Sequence, residues 1–270
     1  MKFSIIVVSL NAGDELYRTV ESVLNQNYND YEVIVKDGES TDGSLRKLDF
    51  IKNNKLKVFV EKDSGIYDAM NQATYYASGD YVIFINCGDK FYNETVLSEC
   101  AKFIRDTSFC GTLDLSNVIF YGDCFTQNRG YNLIYPDVFD DYVCFTKTLC
   151  HQSTIYSMDL LKKRKFSLDY KIAADFEYYV YAYKHGVDLK HIPVVISVYQ
   201  GNGTSETTKN RRLTLKESEK ILKSNFTKKE YIKNYLKMQF RGVGIKRFIV
   251  KSSFLYGIYG KVATLYYKKR

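Results

Sequence analysis

Four short apolar runs near the start of the chain each end in a polar cluster: Ser9-Leu10-Asn11, Asp37-Gly38-Glu39-Ser40-Thr41-Asp42-Gly43, Glu61-Lys62-Asp63-Ser64-Gly65 and Asn86-Cys87-Gly88-Asp89. Carboxylates and amides grouped in this way accept hydrogen bonds, ligate cations or move protons. A single Asp at a strand end is ordinarily a helix cap or a turn residue. Asp37, Asp63 and Asp89 carry more weight together, because an open parallel sheet binds its ligands in the crevice beyond the carboxyl ends of its strands. Farther along stand His151 beside Gln152, and Asp175 at the start of a helical stretch. With only three His in the chain, His185 and His191 are read as structural.

The elements that must position these groups follow from hydrophobic periodicity. Residues 3–9, 31–36, 56–60 and 81–86 read as strands, alternating with helical stripes made by Leu16, Val20, Val23 and Leu24 and by Ile66, Ala69, Met70, Ala73 and Ala77. That alternation predicts βαβ units and a parallel sheet. Beyond residue 109 the pattern is mixed, with a strand over 117–121, a helix over 173–184 and a strand over 189–198. Residues 200–210 are polar and contain Gly201 and Gly203, which predicts a loop. The expected division is a catalytic α/β domain over 1–210 and a helical basic extension over 211–270.

Composition narrows the class. Hydrophobic residues at 45% and charged residues at 26% describe a globular chain rather than a disordered one. Cys87, Cys100, Cys110, Cys124, Cys144 and Cys150 form no C-x-x-C pair and have no His at metal-ligand spacing, so neither zinc nor a redox motif is predicted, and a reduced cytosolic setting fits. The opening residues run straight into a strand without the pattern of a secretory signal, and no run of 18 apolar residues predicts a spanning helix. Tyr is abundant, at 25 copies, a weak hint of sugar-handling or interfacial surfaces. The net charge of +8 is concentrated at the end: residues 228–270 hold twelve Lys and Arg against Glu230 alone, a balance of +11.

The ordered blocks Ser4-Ile5-Ile6-Val7-Val8-Ser9-Leu10-Asn11, Ser22-Val23-Leu24-Asn25-Gln26 and Asp37 through Gly43 resemble the nucleotide-binding start of family 2 glycosyltransferases of the GT-A fold. The resemblance continues through Asp63-Ser64-Gly65-Ile66-Tyr67-Asp68-Ala69-Met70-Asn71, Gly79-Asp80 and Asn86-Cys87-Gly88-Asp89. His151-Gln152-Ser153 and Ala173-Ala174-Asp175-Phe176-Glu177 resemble acceptor-side motifs of the branch that makes bacterial polysaccharides. Together the blocks span about the first 200 residues in family order.

The resemblance implies inverting transfer of a sugar from a nucleoside diphosphate donor to an acceptor hydroxyl. Ser9, Asn11, Asp37, Gly38, Asp63, Gly65 and Asn86 would line the nucleotide pocket, with Asp37 and Asp63 accepting hydrogen bonds from the nucleotide. Asp89 stands at the end of the family's aspartate-any-aspartate motif, where the final Asp ligates Mg²⁺ or Mn²⁺ against the diphosphate. Asn86 and Gly88 depart from the acidic pattern there, and the implied cation rests on one carboxylate. Asp175 matches the second acid of the family's Glu-Asp pair, with Ala174 replacing the first, and becomes the candidate base. His151 and Gln152 would touch acceptor or diphosphate.

Aromatic and aliphatic residues among the terminal Lys and Arg, including Tyr231, Tyr235, Met238 and the stretch 248–267, fit an anionic membrane surface, with a packed and solvated helical appendage as the plain alternative. The expected location is the cytoplasm, on the inner face of the membrane, with a saccharide or lipid-linked saccharide as acceptor. Nucleic acid is a poorer partner, since no binding motif accompanies the basicity. A nucleotidyltransferase or a Rossmann dehydrogenase would want a Gly-rich loop where Asn11-Ala12-Gly13 supplies one Gly. A catalytically silent binding module of the same fold is the remaining rival.

Overall fold

The computed structural model describes residues 1–109, 113–201 and 208–240. Strands β1 (Phe3–Ser9), β2 (Tyr31–Asp37), β3 (Leu56–Val60) and β4 (Tyr81–Phe84) form a parallel half-sheet in the order β3-β2-β1-β4. β1 and β2 are buried at every position, as expected of parallel strands covered on both faces. Helix α1 (Asp14–Leu24) lays Leu16 and Val20 on Val7 and Val35. Helix α2 (Ile66–Ala73) packs Tyr67, Met70 and Ala73 against Ile6, Val8 and Ile34 on the opposite face. Both stripes match the expected ones except at Ile66, which is exposed, and at Ala77, which lies beyond the end of α2.

Beyond β4 the sheet is mixed. It runs on through β8 (Thr154–Ser157), β6 (Val118–Thr126), β9 (Asp188–Tyr199) and the two-residue β5 (Lys90–Phe91), with β7 (Tyr131–Leu133) pairing β6. β8 is antiparallel to both β4 and β6, whereas β6 and β9 are parallel. The register between β6 and β9 shifts at Gly122 and Asp123, where a Cβ on Gly122 would fall 2.6 Å from Ile196. β4 stops at Phe84 rather than 86 because the chain turns: the amide of Asp89 donates to the carbonyl of Asn86, and Gly88 adopts φ +93°. Helix α3 (Val96–Phe109) covers the α1 face of the sheet through Val96, Leu97, Cys100 and Ile104.

The remaining helices are α4 (Asp141–Thr146), α5 (Met158–Lys163), α6 (Ala174–Lys184), α7 (Thr208–Asn225) and α8 (Lys228–Phe240). Ile221 and Leu222 of α7, Phe226 just after it and Met238 of α8 join the same core as α2 and α6. The described part of the expected extension is therefore built into the main body. Within the expected loop at 200–210, residues 202–207 lie outside the described residues, as do Cys110 and the aromatic stretch at 248–267. The abundant Tyr also serves the interior: Tyr121, Tyr156 and Tyr179 are among the largest fully buried side chains. Among the described residues no helix is long and apolar enough to cross a membrane.

Candidate active site

The carboxyl ends of β1 and β2 are tied into one rim. The Gly38 amide donates to the Ser9 carbonyl at 2.9 Å, and the Asn11 amide donates to Ser40 Oγ at 2.7 Å while Asn11 Oδ1 accepts from the Thr41 amide at 2.9 Å. Asn11 and Glu39 both adopt left-handed backbone, at φ 50° and 68°, so the two loops turn sharply toward each other. Asp37 is fully buried, and its two oxygens accept from the Ser40 amide at 2.6 Å and the Ser40 hydroxyl at 2.7 Å. In this arrangement Asp37 shapes the loop, and two of the roughly four acceptor positions of its carboxylate are taken.

Asp63 meets a group that sequence reasoning missed. Lys36 is completely buried; its Nζ donates to Asp63 Oδ2 at 3.3 Å and also reaches the backbone carbonyls of Asp37 and Glu61. A buried ammonium is tolerated only when it is paired and hydrogen-bonded, and here it joins the ends of β2 and β3 beneath the rim. The only sign in the sequence is a charged residue directly after Val33-Ile34-Val35, inside the strand. Gly38 has no room for a side chain, since a Cβ would lie 2.7 Å from Asp63 Oδ2. Asp63 Oδ1 accepts from the amide of Gly65, whose φ of +141° starts α2.

Asp89 sits at the opposite rim, 4% exposed. Gln152 Nε2 donates to its Oδ2 at 2.6 Å and the Gln200 amide to its Oδ1 at 2.9 Å, yet burial outweighs both and pushes its pKa up to about 7. Gly88 explains the missing acid of the motif: with φ +93°, its Cβ would fall 2.5 Å from Gln200 Oε1 and 3.4 Å from Glu15 Oε2. Asn86 Oδ1 is buried without a hydrogen-bond partner among the described residues.

The acceptor-side motifs complete the rim. His151 stacks on Phe84 with centroids 5.3 Å apart, pairs Nδ1 with the Tyr156 hydroxyl at 3.2 Å, and leaves Nε2 without a partner among the described residues. Burial lowers its pKa, and the nearby Asp175 carboxylate only partly opposes this, so the ring is neutral at pH 7. Gln152 does not face open space; it holds Asp89. Asp175, in the first turn of α6, is partly exposed, and its Oδ1 lies 2.9 Å from the Tyr67 hydroxyl of α2. Ala174 is fully buried in the core, which leaves no room for the Glu of the family pair. Glu217 of α7 instead reaches the start of α6, accepting from the amides of Lys171, Ile172 and Ala173. His191 is structural, bridging Asp137 and Asp123 at 2.8 and 3.0 Å.

These contacts tie the strand-end loops to the acceptor-side motifs. Cys87, with Ser9 against its thiol, feels the charges of both Asp37 and Asp89. Asp89 is hydrogen-bonded to Gln152, the chain neighbour of His151; His151 feels the charge of Asp175; Asp175 is hydrogen-bonded to Tyr67 of α2, the helix that begins after Gly65, whose amide donates to Asp63. No group of three or more His, Cys, Asp or Glu among the described residues forms a self-contained metal cage. Asp89 still has unused lone pairs, because a carboxylate offers about four acceptor positions and two are taken. The donor set therefore fits a cation that draws its other ligands from a diphosphate and water, as Mg²⁺ commonly does.

Comparison with known proteins places this geometry in context. The PGL/p-HBAD biosynthesis glycosyltransferase of Mycobacterium bovis is 28% identical over 212 residues, covering 76% of this chain and 79% of that protein. The structure of S. aureus TarS 1-349 in complex with UDP-GlcNAc superposes with a TM-score of 0.63 at 19% identity, covering 91% of this chain and 76% of that one. Against the longer TarS chain, this chain spans 43% of the length. The mannosyltransferase PcManGT from Pyrobaculum calidifontis, in complex with GDP-Man and Mn²⁺, gives a TM-score of 0.62 at 16% identity, covering 98% of this chain and 80% of that one. These likenesses show the GT-A fold, with its parallel half-sheet and mixed second half. The model of Glycosyl transferase family 2 matches residues 4–163, more than half of the chain and all of the first rim, and the chain is therefore a member of glycosyl transferase family 2.

Proposed function

We propose that this glycosyltransferase moves a sugar from a nucleoside diphosphate donor to an acceptor hydroxyl with inversion at the anomeric carbon, in the assembly of a cell-surface glycan or glycolipid. The observation that carries the reading is a pair of carboxylates held by side-chain hydrogen bonds, the buried Asp89 by Gln152 and the more open Asp175 by Tyr67. The donors bound by TarS and PcManGT support the substrate class.

In this scheme the nucleotide lies along the first rim, over Ser9, Asn11, Gly38, Asp63 and Gly65, with Asn86 Oδ1 offering an unused acceptor. Asp89, together with the diphosphate, would hold Mg²⁺ or Mn²⁺, and that ion would supply positive charge to stabilise the departing nucleoside diphosphate. Asp175 accepts the proton of the acceptor hydroxyl as that oxygen attacks from the opposite face. Tyr67 fixes the carboxylate through its hydroxyl, and neutral His151 offers Nε2 to a sugar or phosphate oxygen. Lys228, Lys229 and Lys233 flank the exposed Ile232 and Leu236 on α8, and with the basic residues beyond 240 they suit an anionic membrane carrying a lipid-linked acceptor.

The test is a panel of sugar nucleotides screened by thermal shift, followed by transfer and calorimetric assays with the best donor. A ligand at ~100 times its Kd stabilises by about 2.7 kcal/mol, which is readily detected. Donor binding with neither transfer nor hydrolysis would favour the silent binding module instead. Asp89→Ala must also weaken metal-assisted donor binding; an unchanged metal response would place the cation elsewhere.

A further inference from the structure

The Gln152 amide that holds Asp89 is itself held. Its Oε1 accepts from the Cys150 thiol at 3.3 Å while its Nε2 donates to Asp89 at 2.6 Å. The opposite amide orientation would face a carbonyl oxygen toward the carboxylate and an amino group toward the thiol hydrogen, and both contacts would be lost. Cys150 has a second thiol near it, that of Cys124 of β6: both sulfurs lie beside the one hydroxyl of Ser197, at 3.7 and 3.6 Å from its Oγ. Cys124 is fully buried, while Cys150 is partly exposed as a residue.

We propose that Cys150 is a positioning residue whose thiol orients Gln152 toward Asp89, and that its nearness to Cys124 across the Ser197 hydroxyl lets oxidation to a disulfide break that hold. The proposal rests on the functional reading of Asp89 given above. Two thiols become one S–S bond, releasing two protons and two electrons. A low-molecular-weight disulfide takes them up and leaves as two thiols. The product has no S–H for Gln152 Oε1, and closing the bond draws Cys150 toward β6. The amide is then free to rotate, and Asp89 loses its strongest donor. Surrounding partners of a metal ligand typically change metal affinity by about 10–100-fold when removed, which sets the expected size of the effect.

The experiment uses the full chain with diamide as oxidant, whose N=N bond is reduced to a hydrazine. Peptide mass analysis reads the Cys124–Cys150 cross-link, and Mn²⁺ with inorganic pyrophosphate, followed by calorimetry, reads the site. The reduced wild type binds; diamide installs the cross-link and weakens binding about 10–100-fold, and a reductant restores it. Cys150→Ala binds weakly even when reduced. Cys150→Ser, which keeps a donor for Gln152, and Cys124→Ala bind like the reduced wild type and ignore diamide. Absence of the cross-link, a cross-link without weakened binding, or Cys150→Ala binding at full strength would each overturn the proposal. Asp89→Ala is the control that separates the two readings. If it binds Mn²⁺ and pyrophosphate normally, the role of Asp89 and the coupling built on it fall together, whereas a failed cross-link leaves Asp89 untouched.

Discussion

The carboxylate of Glu217 lies 3.0 Å from the amide nitrogen of Ala173, and it also accepts from the amides of Lys171 and Ile172, 46 and 45 positions away in sequence. A negative group at this place satisfies three backbone donors at once and complements the amino-terminal end of α6, two residues before Asp175. Hydrogen bonds to charged groups contribute about 1.5–3 kcal/mol each, and removing the acceptor leaves buried donors unpaired. Glu217→Ala should therefore lower stability by about 3 kcal/mol in denaturant unfolding. Because the same carboxylate places Asp175, kcat should fall further than donor affinity. Unchanged stability would mean that water replaces Glu217 without cost.

Tyr67 has one hydroxyl proton and two acceptors, Asp175 Oδ1 at 2.9 Å and the carbonyl of Ile172 at 2.7 Å. Burial holds this phenol well above its ordinary pKa, so it remains a donor throughout the working range. Tyr67→Phe removes the donor and leaves the ring's packing on Phe166 in place. A loss of about 10–100-fold in kcat with donor affinity retained is expected, the equivalent of one hydrogen bond to a charged group. Asp175→Asn should abolish transfer with the same pattern. Equal losses in donor affinity for either variant would count against Asp175 as the base.

How far the sequence carries depends on how local each feature is. β1, α1 and α2 were legible because Leu16, Val20, Val23, Met70 and Ala73 repeat at helical spacing and β1 is apolar throughout. The mixed half of the sheet was not: β5 and β7 have two and three residues, too few for periodicity to register, and β8 is recognised only by its neighbours. The candidate residues were legible as types. Their partners were not, since Gln200, Glu217 and Tyr67 reach Asp89, Ala173 and Asp175 across 111, 44 and 108 positions. For Gln152 the motif indicated the place but not that the amide would turn to Asp89. Lys36 was read as part of a strand, because nothing in its neighbours shows that its ammonium ends under Asp63.

Glu32 provides a pH test of the sheet itself. Burial alone would raise its pKa, but Lys57, the Ser78 amide and hydroxyl, and Ser4 donate to it and bring it down to about 2, against 4.5 when unpaired. A carboxylate with a depressed folded pKa adds stability above its unfolded pKa and loses it as pH falls toward the folded one. The window is therefore roughly pH 4.5 down to 2, and the contribution is on the order of 3 kcal/mol before screening of the half-exposed Lys57. Wild-type stability should drop through that window, and Glu32→Gln should flatten the drop while being weaker at pH 7. Parallel curves for the two proteins would show that the interactions around Glu32 contribute nothing net.

Asp89 carries the opposite sign. Burial raises its pKa from 3.8 to about 7, so between those values the unfolded chain releases the proton and the folded chain keeps it. Stability then falls as pH rises through that range, and the full penalty, on the order of 4 kcal/mol, is present above pH 7. Such a cost is what a group kept for binding a cation carries when no cation is there, and a cation favours the charged form. Asp89→Asn removes the ionisation, and its Oδ1 still accepts from the Gln200 amide, while a flipped Gln152 amide can receive its Nδ2. In the absence of metal the variant should be more stable than wild type at pH 8 and nearly equal to it at pH 4. Adding Mn²⁺ at pH 8 should raise the melting temperature of wild type and leave that of Asp89→Asn unmoved. If the variant is less stable than wild type at pH 8, the carboxylate is being held by favourable contacts in its charged form, and its role is structural.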